Sequence, residues 1–177
     1  MGFRHLGVHD RAGRIVGALT PRNLLRNRAT SAIAIGDGIA AAQTSEHLAA
    51  TWDEVSVMAL NLLREGVDAR TIAGVISAEI RAMTRRAAEL AEHEMERVGK
   101  GRAPVPYAVL VLGSAGRGES LLAADQDNAI VYAAGEPGGA ADVWFEQMAT
   151  IMTATLDLAG IDFCKGGVMA RNPDWRA

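Results

Sequence analysis

Two short runs in this chain hold residue types that could do chemistry together. Gly113-Ser114 closes the apolar run Tyr107 to Leu112, and Asp125-Gln126-Asp127 leads into Ala129 to Tyr132, with ten residues between Ser114 and Asp125. Glycine lets a backbone approach a ligand closely, and a helix opening just after it would offer free N–H groups to an anion such as a triphosphate. If the chain is already extended at Asp125, residues two apart face the same side, and the two carboxylates converge. Hard oxygen donors of this kind suit Mg²⁺ or Mn²⁺, held jointly by carboxylates, water and substrate phosphates. Such an ion can activate a hydroxyl and neutralise a pyrophosphate leaving group. Phosphoryl or nucleotidyl transfer is the chemistry this set would serve. Each half alone is ordinary, since Gly-Ser is a common turn and Asp-x-Asp is often a solvated loop. Their spacing between two apolar strands points to a nucleotide site.

The elements that must position these residues read as strand (Tyr107 to Leu112), turn, short helix, strand (Ala129 to Tyr132) and amphipathic helix (Asp142 to Ala159). The last is entered from the turn-rich stretch Gly135 to Gly139. Upstream, Ile72, Val75, Ile76, Ile80, Met83, Ala87, Leu90, Ala91, Met95 and Val98 recur at helical spacing and predict one long helix capped by Asp68. A helix before it is expected over Trp52 to Glu65, with Thr51 and Glu54 at capping-box spacing and Gly66 as its stop. Gly99 to Pro106 cannot continue a helix and reads as a linker. Near the N-terminus, β-like runs at His5 to Val8 and Ile15 to Thr20 flank the turn Asp10 to Gly13, and Thr20-Pro21 opens a short helix reaching Arg28. The expected division is a hairpin and helix over 1–30, a helical region over 31–100 and a strand-bearing unit over 101–177.

Composition bounds the rest. With 177 residues, 49% hydrophobic and 22% charged, the chain can bury a core. A net charge of -3 supplies no broad basic face, so DNA and acidic membranes are not expected partners. A lone cysteine, Cys164, cannot pair within the chain and fits a reducing, cytoplasmic setting. Arg4, His5 and Asp10 interrupt any apolar leader, and no stretch approaches the roughly 20 apolar residues of a membrane span.

Gly113-Ser114 with Asp125-x-Asp127 resembles the signature of the DNA polymerase β-like nucleotidyltransferase superfamily. The longer stretch VLGSAGRGESLLAADQDNAIVY, with TRRAAEL before it and GGVMARNPDWR after it, is similar to bacterial nucleotidyltransferases related to the N-terminal domain of protein-PII uridylyltransferase. The resemblance spans about Thr51 to Arg176. It implies an α+β fold with a mixed sheet, a nucleoside triphosphate substrate, Mg²⁺ or Mn²⁺ on Asp125 and Asp127, and phosphates held by Gly113 and Ser114. Arg117 could neutralise phosphate charge, and Glu119 could orient Arg117 or begin a helix. A protein hydroxyl, as on a PII-type acceptor, would receive the nucleotide. The superfamily usually adds a third carboxylate from a later strand. Asp157 lies in a predicted helix and Asp162 too early, so that carboxylate is expected beyond Ala177 and the unit is expected to be incomplete.

FRHLGVHDRAGRIVGALTPRNLLR resembles the closing hairpin and helix of a CBS domain, a fragment preceding the helices. That family binds adenine nucleotides through a Thr and an Asp; Thr20 matches, whereas Asn23 replaces the Asp, so adenine nucleotide is expected only at a complete CBS module. The competing reading of the whole chain is an idle nucleotide-binding regulatory module coupled to such a sensor. His5 and His9 fall in a strand and its turn, and His47 and His93 read as surface residues. Cys164 reads as a packed cysteine, and Arg81, Arg85 and Arg86 as a solvated helix face.

Overall fold

The computed structural model describes residues 6–19 and 34–177. The N-terminal hairpin pairs β1 (Leu6–His9) with β2 (Ile15–Leu19) in antiparallel register, Leu6 opposite Leu19. Its turn is tied by Asp10, whose carboxylate accepts from the Ala12 and Arg14 amides at 2.9 Å each. The expected helix from Pro21 to Arg28, with Thr20 and Asn23, lies outside the described residues.

Residues 34–41 are helical (α1) and precede α2 (Ser45–Arg64) and α3 (Ala69–Arg97). The sequence places the start of α2 too late. Thr44 is the cap, accepting from the His47 amide at 3.3 Å, while Thr51 sits buried inside the helix and donates to the His47 carbonyl. Leu48, Trp52, Val55 and Ala59 extend one buried stripe back to the Thr44 cap. Asp68 caps α3 as its position suggests, accepting from the Thr71 amide at 3.0 Å. Ile72, Ile76, Ile80, Met83, Ala87, Ala91 and Met95 form its buried face.

After the turn-rich residues 99–106 come β3 (Tyr107–Val111), the five-residue helix α4 (Gly113–Arg117), β4 (Asn128–Tyr132) and α5 (Ala140–Leu158). β3 and β4 pair antiparallel, Tyr107 opposite Tyr132 and Val111 opposite Asn128. The sheet itself is antiparallel where a mixed one is expected; parallel pairing is limited to isolated bridges, Ile130 to Arg176 and, ahead of β4, Asp125 to Asp162. Phe145 of α5 is fully buried against the cross-strand pair, with ring centroids 5.2 Å from Tyr107 and 4.8 Å from Tyr132. Met148, Met152 and Leu156 continue that α5 face into a core shared with α2 and α3. The Tyr107 hydroxyl donates to Glu92, and burial together with that carboxylate pushes its pKa up to about 12.

Buried polar groups lock the C-terminal segment onto this layer. Arg176 and Asp142 form a buried ion pair at 2.6 Å, and Asp142 also accepts from the Gly138 amide and the Tyr132 hydroxyl. The Arg176 guanidinium, first among these partners, holds the Asp142 carboxyl below its ordinary range. Among the described residues, no helix is long and apolar enough to cross a membrane.

Candidate metal and nucleotide site

β3 ends at Val111, and the chain turns through Leu112 into α4 at Gly113, whose φ of 54° lies in the left-handed region that glycine adopts without cost. The reason for glycine is also spatial: a Cβ there would collide with the Asp127 carboxylate, and one at Gly116 would meet the Val111 carbonyl at 2.5 Å. α4 is therefore seated tightly on the end of β3. Its carbonyl at Ala115 accepts from Arg81 of α3 at 2.8 Å, and the loop after it is pinned where the buried Ser77 hydroxyl accepts from the Ser120 amide at 2.9 Å.

Asp125, Gln126 and Asp127 precede β4 and are fixed from both sides. On one side the Leu112 amide donates to the Asp127 carbonyl at 2.8 Å; on the other the Gln126 amide donates to the Asp162 carbonyl at 2.9 Å. Gln126 is buried and spends its side-chain amide on the carbonyls of Thr153 and Ile161, both at 2.9 Å. With Gln126 turned inward, its neighbours face the opposite side. Asp125 is exposed and Asp127 half-buried, and each offers a carboxylate oxygen to one small space together with the Cys164 thiol, all within 4.8 Å of one another. Asp125 and Asp127 make no side-chain hydrogen bond or ion pair with any described residue.

The structure thus brings Gly113, Asp125 and Asp127 into one place. Ser114 is half-buried one residue on, its hydroxyl 3.4 Å from that of Ser120. Arg117, at the far end of α4, is exposed and paired with Glu119 at 3.0 Å, which makes Glu119 an orienting partner. Cys164 is not simply packed away, because it shares the carboxylates' space. Of the α3 arginines, Arg81 and Arg85 are exposed as expected and Arg86 is half-buried. Arg81 braces α4 and Arg86 donates to the Ala42 carbonyl at 2.7 Å, while Arg85 lines an open groove of about 490 Å³ between α3 and β3. Asp157 accepts from the Phe163 amide at 3.2 Å, and Asp162 joins through its backbone alone. Among the described residues no third carboxylate enters the cluster.

Donor chemistry and shape both suit a divalent cation here. Among the described residues no cation pairs with either carboxylate, and the Asp127 carboxylate fills space left because residue 113 lacks a Cβ. A glycine turn after one strand, followed by paired acids ahead of the next, is the arrangement the sequence pattern leads one to expect. Residues 53–177 match the family model described as "Putative nucleotidyltransferase DUF294", and the chain belongs to that family. The match begins inside α2, so the helical pair is part of the family's unit. Nucleotidyltransferases as a class act on nucleoside triphosphates with divalent metals. Comparison with curated proteins and with solved structures finds no match.

Proposed function

We propose that this protein is a divalent-cation-dependent nucleotidyltransferase of the protein-PII uridylyltransferase type, moving a nucleoside monophosphate from a triphosphate to a protein hydroxyl in signal transduction. The observation that carries the reading is the convergence of Asp125 and Asp127 beside Gly113. Asp125 and Asp127 would hold Mg²⁺ or Mn²⁺, and the Gly113 and Ser114 backbone, with Arg117 nearby, would receive the phosphates. The ion, when bound, would supply Lewis acidity to the phosphoryl oxygens and charge neutralisation for the leaving group. In the transfer itself the acceptor hydroxyl oxygen bonds to the α-phosphorus, the α–β bridging P–O bond breaks, and pyrophosphate leaves while the hydroxyl proton passes to solvent. Gly113 positions Asp127, Gln126 turns the acidic pair outward, and Ser77 and Arg81 hold α4 and its following loop in place.

A second reading is favoured by the identity of the third group in the cluster, a thiol where this class of enzyme commonly uses a carboxylate. On that reading the chain binds nucleotide and signals occupancy without transfer. It also accommodates a CBS-type N-terminal fragment, with adenine nucleotide recognised only by a complete module. Incubation with radiolabelled UTP or ATP and a PII-type acceptor separates the two. Label transferred to the acceptor, and lost in Asp127→Asn, supports the enzyme. Metal-dependent nucleotide binding without transfer supports the binder.

A further inference from the structure

The single cysteine stands where a metal ligand would stand, and the fold puts it there by register. Asp125 and Asp162 face one another across a parallel bridge. Two residues further along each segment come Asp127 and Cys164, so the same pairing that fixes the acidic pair sets the thiol beside it. The turn that follows is tight, with the Gly167 amide donating to the Cys164 carbonyl at 3.0 Å.

We infer that Cys164 is the third protein ligand of the cation held by Asp125 and Asp127, and that it biases the site toward thiophilic divalent ions such as Co²⁺, Cd²⁺ or Zn²⁺. This rests on the metal-binding reading above. Ligand atoms about 2.1–2.3 Å from one ion lie at most about 4.6 Å apart, so a cluster already within 4.8 Å closes on an ion with small side-chain shifts. A thiolate adds little for Mg²⁺, which prefers oxygen and keeps its waters, but adds much for softer ions. Coordination releases the thiol proton to solvent. The consequence is a site whose occupancy depends on which cation is available, with Mg²⁺ held by the carboxylates and thiophilic ions held by all three groups.

The whole chain is titrated with Co²⁺, Cd²⁺ and Mg²⁺, following heat and near-ultraviolet absorbance, for the parent, Cys164→Ser and Asp127→Asn. Circular dichroism verifies that each variant is folded. The expected result is a thiolate-to-Co²⁺ charge-transfer band that saturates at one equivalent and is absent from Cys164→Ser. Cd²⁺ affinity should fall by about tenfold or more in that variant while Mg²⁺ affinity changes by less than about twofold. Because the chain has one cysteine, a thiol-reactive dye reports on Cys164 alone, and Cd²⁺ should slow its reaction. Co²⁺ binding that is lost in Asp127→Asn but gives no charge-transfer band in the parent would overturn thiol ligation and leave the carboxylate site standing. A full-strength band in Asp127→Asn would also overturn the shared site, since the thiol would then bind alone. Absence of any metal binding overturns both readings.

Discussion

Replacing Gly113 with alanine should damage the site far more than the fold, and Gly118→Ala supplies the control. Both glycines have positive φ, 54° and 77°, but a Cβ at Gly118 meets nothing within 4 Å whereas one at Gly113 falls onto the Asp127 carboxylate. The left-handed conformation costs an alanine about 1–2 kcal/mol in either place. For a chain of this size that lowers Tm by roughly 2–8 °C. Gly118→Ala should show that loss and nothing else. In Gly113→Ala the Asp127 carboxylate must also swing out of the cluster. Displacing a ligand's support commonly costs about 10–100-fold in metal affinity. Differential scanning calorimetry and Mn²⁺ titration of both variants measure the two effects separately. Equal Mn²⁺ affinity in Gly113→Ala and Gly118→Ala would refute the argument that residue 113 is glycine to make room for Asp127.

Asp127→Asn should abolish nucleotide transfer while keeping the parent's circular dichroism, because Asp127 makes no side-chain hydrogen bond or ion pair with any described residue. Asp142→Asn should cost about 3 kcal/mol at neutral pH, since it leaves the buried Arg176 charge uncompensated. Arg176 lowers the Asp142 pKa, so the stability it contributes is fully present above the ordinary carboxylate range. It is lost as pH falls through the lowered value, and urea unfolding of parent and variant should therefore converge in acid. Ser77→Ala orphans the Ser120 amide at a buried position and should cost about 1–3 kcal/mol in urea unfolding, with a further loss of nucleotide affinity as the loop after α4 loosens.

Local signals carried much of this fold. The Asp68 cap, the Gly66 stop, the stripe from Ile72 to Met95, and the apolar runs flanking the glycine turn and the acidic pair all lie within one turn or strand of the feature they specify. The capping-box spacing of Thr51 and Glu54 starts α2 at Thr51, whereas the helix runs back to a cap at Thr44. What decides between them is burial of Leu48 against the core, a tertiary fact. The pairing of Asp125 with Asp162 joins segments 37 positions apart, and no periodicity announces it. Cys164 therefore looks in sequence like any packed thiol, and Arg81 and Arg86 look like surface charges although they serve the carbonyls of Ala115 and Ala42. The glycine turn and the acidic pair were legible because spacing and flanking strands sufficed to suggest them.

Whether nucleotide is held through a cation on Asp125 and Asp127 is decided by calorimetric titration of ATP and UTP with Mg²⁺ or Mn²⁺, then with EDTA. Without the ion, the two carboxylates would repel phosphates placed beside them. Binding should saturate only with the divalent cation present and should be lost in Asp127→Asn. Equal affinity in EDTA, or undiminished binding by the Asn variant, would contradict binding through the cation.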